Sequence, residues 1–202
     1  MTRSREVVAR DVRRASAGDA GAVAELVATA FAPLPAVSYL VPEPAGRHEI
    51  MVADFLILVS HAIEHGEVDL VGDGRAVAVW LPHTAEAPPP EPPDYDRRLA
   101  AATGRWADRF RLLDELFERH HPEPPYHHLA LLAVHPDDQG AGLGTALLRR
   151  HHALLDGAPA YLEASSARSR DLYARHGYRA EEPFALPNGA QFWPMWRPGV
   201  SP

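Results

Sequence analysis

The sequence predicts a single α/β domain over residues 1–202, with helices packed against one sheet. Three observations support this class. Apolar residues recur at helical spacing in some segments and at strand spacing in others. A glycine-rich segment, 139–145, joins an apolar run to a helical segment. The chain has 202 residues, 46% of them hydrophobic, which is enough for one core but too little for two large ones.

The first half of the chain is rich in predicted helices. The segment 47–65 is strongly apolar and ends at Gly66, a residue type favoured just beyond a helix C-terminus. In chain order we predict a strand at 6–14, a helix capped by Ser16 or Asp19, a loop or broken helix with four prolines at 31–44, the helix at 47–65, and strands at 68–71 and 76–81 joined by a turn at 72–74.

Residues 82–93 contain six prolines and predict a stiff surface connection rather than a folded element. After this connection, residues 99–120 predict one helix with four large apolar side chains on one stripe. The remaining predicted elements are a strand at 128–134, a helix at 143–155, a strand at 160–163, a helix at 166–176, and a hairpin of 178–186 and 191–197 around a turn at 187–189.

Composition excludes several classes of function. The chain has no cysteine, which removes thiol nucleophiles, disulfides and thiolate metal sites. All 20 basic residues are arginine, so a lysine-dependent P-loop and a Schiff-base lysine are also excluded. The formal net charge of −7 argues against a nucleic-acid partner. No apolar run reaches the roughly 18 residues of a membrane span and no secretory signal is evident, so we expect a cytoplasmic protein without a membrane partner.

The glycine-rich segment is the strongest functional signal. Gly140, Gly142 and Gly144 alternate where a predicted strand meets a helix, so the backbone can turn tightly and approach a ligand closely. The free N–H groups and positive dipole end of that helix favour a phosphate or pyrophosphate. One alternative is a dinucleotide fingerprint, with Glu163 as the ribose-binding acid, but its third glycine would fall at Thr145. A tight turn without a ligand is another.

Two motifs together resemble those of the GNAT superfamily of N-acetyltransferases. Residues 134–144 read V-x-P-x-x-Q-G-x-G-x-G, like the acetyl-coenzyme A signature of that superfamily. Residues 171–178 read D-L-Y-A-R-H-G-Y and are similar to its second signature. The strand at 161–165 and the tail at 192–199 are most similar to the puromycin N-acetyltransferase-like group. The chain departs from the pattern at Ser166, where many GNAT enzymes have an asparagine that contacts the cofactor.

The resemblance implies the GNAT fold, which has a central mixed, mostly antiparallel sheet of about six or seven strands, splayed in the middle and flanked by helices. It also implies that acetyl-coenzyme A (acetyl-CoA) binds with its diphosphate on the glycine segment. The pantetheine arm would pair with the preceding strand like an added strand. The predicted cofactor-binding residues are Leu132, Ala133, Val134, Gln139, Gly140, Ala141, Gly142, Leu143, Gly144, Thr145, Ser166 and Tyr173.

The implied reaction is acetyl transfer from acetyl-CoA to an amine by direct attack in a ternary complex. Tyr173 is the predicted general acid for the departing thiolate, since an ordinary phenol with a pKa of about 10 is protonated at neutral pH; the alternative is a core aromatic. Glu163 is the predicted general base, with its pKa raised by burial. Alternatively Glu163 binds the substrate ammonium or caps a helix. His127 and His128 are alternative bases.

The expected partner is a small-molecule amine, with an aminonucleoside antibiotic as one candidate, and the expected assembly is a monomer or homodimer. No metal site is predicted, because His61 and His65 lie four residues apart on one helix without an evident third ligand. Two other functions stay open. One is a non-catalytic sensor or interaction protein that binds acyl-CoA, and the other is a nicotinamide-dependent oxidoreductase.

Overall fold

The computed structural model describes residues 12–72, 74–85 and 90–199. The strand predicted at 6–14 is described only from Val12 to Arg14, and its earlier residues lie outside the described ranges. Asp73 of the predicted 72–74 turn also lies outside them. Among the helices that the structure describes, none combines the length and apolar character needed to cross a membrane.

An eight-stranded sheet forms the centre of the molecule. In chain order its strands are β1 Val12–Arg14, β2 Glu67–Val71, β3 Ala76–His83, β4 Tyr126–Val134, β5 Ala160–Ala164, β6 Arg179–Ala180, β7 Phe184–Ala185 and β8 Gln191–Arg197. They pair in the order β1-β2-β3-β4-β5-β8-β6, with β7 on β8. Every pair is antiparallel except β4 with β5. The predicted mixed, mostly antiparallel sheet is confirmed. A doubly wound parallel sheet, which the oxidoreductase alternative requires, is not what the chain forms.

Helices cover both faces of this sheet. They are α1 Ala20–Phe31, α2 Pro35–Leu40, α3 Arg47–His65, α4 Tyr95–Thr103, α5 Ala107–Glu118, α6 Leu143–Leu154 and α7 Ala167–Ala174. Because side chains alternate along a strand, β3 contributes to two separate cores. Val77 and Val79 pack with α1 and α3, whereas Ala78 and Trp80 pack with α6.

The sheet opens between its two parallel strands. β4 pairs with β5 only at His127 and His128, opposite Ala160 and Tyr161. β4 nevertheless remains paired with β3 as far as Val134. The part of β4 after His128 therefore has one edge that β5 does not cover, as expected for a sheet splayed in the middle.

One predicted boundary is wrong because long-range strand pairing overrides the proline signal, whereas the prediction for 31–44 agrees with the structure. The surface connection predicted from Pro82 begins later, since β3 continues to His83. β2 stops opposite Trp80, so Pro82 pairs only with β4 and its missing N–H is tolerated on the unpaired side. The loop or broken helix predicted at 31–44 contains the short helix α2, with Pro35 in its first turn, where proline is favoured.

Two predicted elements are divided. The helix predicted over 99–120 is split into α4 and α5 by a 3₁₀ turn, Gly104–Trp106. Gly104 has φ 55°, a left-handed conformation that ends α4. The strand predicted over 178–186 forms two short strands, β6 and β7, on either side of a segment that contains Pro183, which has no N–H to donate.

Candidate active site

A cavity of about 1500 Å³ is lined by the uncovered part of β4, the glycine segment and α7 at one end. Helices α3 and α5 line the other end. The predicted catalytic residues Tyr173 and Glu163 both line this cavity. All of the predicted cofactor-binding residues line it as well, except Ala141, which is exposed on the outside of the loop.

Two glycines of the loop adopt a conformation that disfavours other residues. Gly140 has φ 87° and Gly142 has φ 89°, which is the left-handed region. Gly144 is helical, and a Cβ there would meet the side chains of Leu132 and Val134 at 3.6 Å, an ordinary contact distance. The first and second glycines of the motif are therefore needed for backbone conformation, whereas the third has room for a methyl group.

Gly142 caps α6, and the first helical hydrogen bond of this terminus runs from the Ala146 N–H to the Gly142 carbonyl at 3.0 Å. The N–H groups of residues 143–145 precede that bond and have no acceptor within the helix. They lie at the positive end of the helix dipole, beside the cavity. This arrangement fits a diphosphate.

Contacts with a neighbouring hairpin hold the loop in place. Arg75 accepts a hydrogen bond from the His135 N–H at 2.9 Å through its carbonyl, and its Nε donates to Asp138 Oδ2 at 2.6 Å. On the other side, Arg168 donates to Gln139 Oε1 at 3.4 Å and lines the same end of the cavity. Sequence reasoning missed Arg168, because only the packing of α7 beside the loop brings this guanidinium next to Gln139.

Ser166 performs a structural task at the start of α7. Its Oγ accepts a hydrogen bond from the Ser169 N–H at 3.1 Å, and Ser169 Oγ donates back to the Ser166 carbonyl at 2.9 Å. Ser166 thus caps α7, the helix that carries the cavity-lining residue Tyr173. Any contact of Ser166 with the cofactor is additional to this capping role.

Tyr173 is 7% exposed and lines the cavity from α7. Burial raises the pKa of its phenol above the ordinary value. The hydroxyl is therefore a proton donor throughout the neutral range. Its neighbour Tyr178, whose ring centroid lies 5.9 Å away, does not line the cavity and is hydrogen-bonded to His152 at 3.0 Å.

The environment of Glu163 differs from the prediction. Its carboxylate lies 2.9 Å from His128 Nε2 and 3.2 Å from His121 Nε2. Burial alone would raise the pKa of Glu163, but the charges and hydrogen bonds of the two histidines more than offset burial and lower it. The prediction of a raised pKa is therefore wrong. A carboxylate stabilised in this way accepts a proton weakly, so it is better suited to orient a histidine than to act as a base alone.

The two histidines predicted as alternative bases lie on opposite faces of β4, because side chains alternate along a strand. His128 faces the cavity with Glu163, whereas His127 contacts His151 and does not line the cavity. His121 was not predicted from the sequence, and it lies just after the end of α5. The ligand atoms of His121, His128 and Glu163 lie within 4.8 Å of one another, close enough to share a proton or a metal ion.

The far end of the cavity is acidic. Asp54 on α3 and Asp114 on α5 both line it, and the Tyr95 hydroxyl donates to Asp114 Oδ2 at 2.7 Å. Burial and the neighbouring Asp114 raise the pKa of Asp54 to about 8. Burial is also the main reason that the pKa of Asp114 is raised to about 6.

Asp54→Asn is expected to stabilise the protein at alkaline pH. The folded state keeps a proton on Asp54 up to about pH 8, whereas the unfolded chain releases it near the ordinary value of 3.8. Stability therefore falls as pH rises between these values. Asparagine removes this loss, so Tm at pH 8 should rise by roughly 3–8 °C, with almost no change at pH 4. Calorimetry on Asp54→Asn and on the exposed control Asp108→Asn tests this; equal Tm values at pH 8 would contradict it.

Comparison with known proteins agrees with this geometry. Residues 110–180 match the model of the acetyltransferase (GNAT) domain. A solved structure from Corynebacterium glutamicum, described as histone acetyltransferase HPA2 and related acetyltransferase, is 27% identical, with a TM-score of 0.72 over 95% of this chain and 97% of that chain. The family match is confined to residues 110–180, and the fold of the whole described chain is similar to that of solved acetyltransferases. Enzymes of this superfamily use acetyl-CoA as cosubstrate.

Two more distant structures share the fold. The polyamine N-acetyltransferase of Drosophila melanogaster, which catalyses the formation of N-acetylagmatine, is 19% identical, with a TM-score of 0.55 over 92% of this chain and 97% of that chain. An arylalkylamine N-acetyltransferase-like 5b protein from mosquito is 18% identical, with a TM-score of 0.52 over 92% and 97%. At these identities the likeness concerns the fold alone.

Proposed function

We propose that this protein is an acetyl-CoA-dependent N-acetyltransferase that acts on a small amine by direct attack in a ternary complex. One observation carries the proposal. The N-terminus of α6, the uncovered edge of β4, Tyr173 and the Glu163–His128 pair all border one cavity. Each of these features meets one requirement of acyl transfer.

Acetyl-CoA would supply the acetyl group as a thioester. The N–H groups of residues 143–145 would hold its diphosphate, with Arg168 adding a positive charge. The edge of β4 at 132–134 offers main-chain groups to the pantetheine arm, and an N–H there would stabilise negative charge on the thioester oxygen. Such a donor typically contributes about 3 kcal/mol in the transition state.

Proton transfer would be divided between two sides of the cavity. Tyr173 donates a proton to the departing sulfur. On the other side, Glu163 orients the His128 ring through a contact of 2.9 Å. His128 then accepts the proton that the attacking amine loses, directly or through a water. Glu163 is in this scheme a positioning residue, and His128 is the base.

Among amine acceptors, an aminonucleoside antibiotic is the candidate that the sequence likeness to puromycin N-acetyltransferase-like proteins supports. Aromatic side chains at the acceptor end, Phe31 and Phe55, would contact a flat group. Puromycin therefore belongs in the first panel of acceptors, beside simple alkylamines and arylalkylamines.

Cofactor binding is tested by thermal shift with acetyl-CoA. At a hundredfold excess over Kd, a ligand stabilises the folded state by about 2.7 kcal/mol, so Tm should rise by roughly 5–10 °C. Gly142→Ala should reduce this shift strongly, because alanine strains the left-handed residue that presents the N–H groups. Gly144→Ala is the matched control, since its Cβ has room. A shift with NAD but none with acetyl-CoA would overturn the proposal.

Catalysis is tested by thiol release with the amine panel. Turnover that requires both acetyl-CoA and an amine, with an acetylated amine as product, supports the proposal. A thermal shift with acetyl-CoA but no turnover with any amine would favour a non-catalytic acyl-CoA-binding protein. An ester product from a hydroxyl acceptor would show that the acceptor is an alcohol rather than an amine. The protein would still be an acyltransferase.

A further inference from the structure

We propose that His121, His128 and Glu163 form a binding site for a divalent transition-metal ion such as zinc, and that the bound ion inhibits acetyl transfer. All three side chains line the cavity. They come from three separate segments, the end of α5, β4 and β5, so no spacing in the sequence predicts the site. Metal binding follows from the geometry of these residues alone, whereas the inhibition rests on the proposed function.

The spacing of the ligand atoms suits one small ion. Glu163 Oε2 lies 2.9 Å from His128 Nε2, and Glu163 Oε1 lies 3.2 Å from His121 Nε2. One ligand atom from each residue lies within 4.8 Å of the other two. Zinc binds imidazole nitrogen and carboxylate oxygen at about 2.0–2.2 Å, so two of its tetrahedral ligands are about 3.4 Å apart. Small rotations of the rings would therefore place all three ligand atoms on one ion.

Two atoms of this cluster have unused bonding capacity. The Glu163 side chain is 6% exposed, yet within the described structure its Oε1 has no well-aligned hydrogen-bond partner. The same holds for His121 Nε2, because the 3.2 Å contact between these two atoms lacks hydrogen-bond geometry. Buried polar atoms are normally paired. A buried nitrogen and a buried carboxylate oxygen that face each other without a bond indicate a guest that binds both.

The same spacing distinguishes a metal ion from an ammonium group. Acceptors of an ammonium nitrogen lie about 2.7–2.9 Å from it, so two of them are about 4.6 Å apart. The contacts of 2.9 Å and 3.2 Å around Glu163 are too short for that arrangement. Imidazole together with carboxylate is a ligand set for zinc and its neighbours among the transition metals, whereas magnesium and calcium prefer oxygen ligands.

The charge around Glu163 leaves room for a cation. Within the described ranges, the groups that pair with its carboxylate are imidazoles, and no guanidinium lies within 4 Å of it. A second group of metal-type ligands lies outside the cavity, at Glu67, Asp69 and His151. There the guanidinium of Arg14 already contacts Glu67 at 2.7 Å and neutralises it. The observations therefore favour the site at Glu163.

A bound ion would stop the proton transfer. A zinc ion held by three protein ligands keeps a fourth position, which here faces the cavity. A ring that binds zinc through Nε2 carries its proton on Nδ1 and has no lone pair left, so His128 could not accept the proton of the amine. An amine in the fourth position would give its lone pair to the metal and not to the thioester carbon.

Cobalt(II) is the probe for binding, because it occupies zinc sites and absorbs visible light far more strongly in a tetrahedral site than in water. The parent protein, without amine or acetyl-CoA, should show this absorption, and zinc should abolish it. His121→Gln and Glu163→Gln should each weaken cobalt binding at least about a hundredfold, since even a group that only supports a metal ligand contributes about 10–100-fold.

His65→Gln is the matched control for metal binding. It removes an exposed histidine of α3 that does not line the cavity, so cobalt should bind this variant as it binds the parent protein. Circular dichroism on all three variants checks that each is folded.

Inhibition is measured as acetylated amine, because the thiol of released coenzyme A itself binds zinc. Saturating zinc should lower the initial rate of the parent protein at least about a hundredfold, the contribution expected of a general base, and EDTA should restore it. Each variant is compared with its own rate without metal. His65→Gln should respond to zinc as the parent does, and His121→Gln should need at least about a hundredfold more zinc.

The outcomes separate this inference from the proposed function. Cobalt binding that is lost in His121→Gln, without acetylation of any amine by the parent protein, would support the metal site and overturn the proposed function. Acetylation at the parental rate while the site holds zinc would overturn the inhibition and leave the acetyltransferase standing. If millimolar cobalt gives no tetrahedral absorption, or if His65→Gln loses binding as much as His121→Gln, the metal site is wrong.

Discussion

Replacing Tyr173 with phenylalanine is expected to lower kcat about a hundredfold or more while leaving the Kd for acetyl-CoA nearly unchanged. The side chain is buried, lines the cavity and has a raised pKa. Phenylalanine keeps the packing of the ring and removes only the proton that the departing thiolate needs. Single-turnover thiol release, together with thermal shift for the cofactor, measures the two quantities separately.

Tyr178→Phe is the matched control for this substitution. Tyr178 is also buried, at 3% exposed, but its hydroxyl contacts His152 and it does not line the cavity. Its loss should lower Tm through a missing hydrogen bond, worth about 1 kcal/mol, and keep kcat. Equal kcat values for Tyr173→Phe and the parent protein would assign Tyr173 to the core and remove it from the mechanism.

Glu163→Gln is expected to lower both activity and stability. Without the carboxylate, His128 loses the partner that orients its ring, so kcat should fall about a hundredfold. The lowered pKa of Glu163 adds stability above its ordinary value of 4.5, and this stability is lost as pH falls through the lower folded value. The Tm of the variant should therefore lie below that of the parent at pH 7 and approach it in acid.

The neighbouring histidines on β4 provide a paired test of the same prediction. His128→Gln should lose activity to a similar extent as Glu163→Gln, and the double variant should lose little more, because the two side chains act as one unit. His127→Gln, one residue away on the opposite face of the sheet, should keep its activity. If Glu163→Gln and His128→Gln both kept the parental kcat and pH profile, the base would lie elsewhere, with His83 the next candidate.

His83 illustrates a contact that no local pattern predicts. It ends β3, stacks on Tyr126 at a centroid distance of 4.4 Å and lies 5.9 Å from the His128 ring. Burial, His128 and His121 lower its pKa to about 4. Its place near the candidate base follows from the extension of β3 beyond Pro82. Sequence reasoning ended that strand at residue 81 and therefore missed His83.

Local signals predicted the glycine loop that borders the cavity. The alternation of Gly140, Gly142 and Gly144 predicted a turn into a helix, and the structure shows that turn with left-handed φ at the first two. The helix at 47–65 also ends at Gly66 as predicted. These features depend on φ preferences and on apolar spacing within a few residues, and both can be read directly from the chain.

The acidic part of the cavity wall could not be predicted in this way. Asp54 and Asp114 are sixty residues apart in sequence and line one cavity only because the fold places α3 and α5 at its border. Each aspartate alone resembles an ordinary solvated residue of an amphipathic helix. The pKa of Glu163 could not be predicted from the sequence either. Burial is expected to raise the pKa of a carboxyl group, but the two histidines that the structure places beside Glu163 lower it.

By itself the sequence determined the class of fold, the loop that would hold a diphosphate and the candidate proton donor, because glycine conformation, helix termini and apolar period are local properties. Only the tertiary structure decided where the sheet opens, which face of β4 each histidine occupies and which charges meet in the cavity. Those features depend on burial and on contacts between distant segments, and the free energy of an ionised group is set by its neighbours in space.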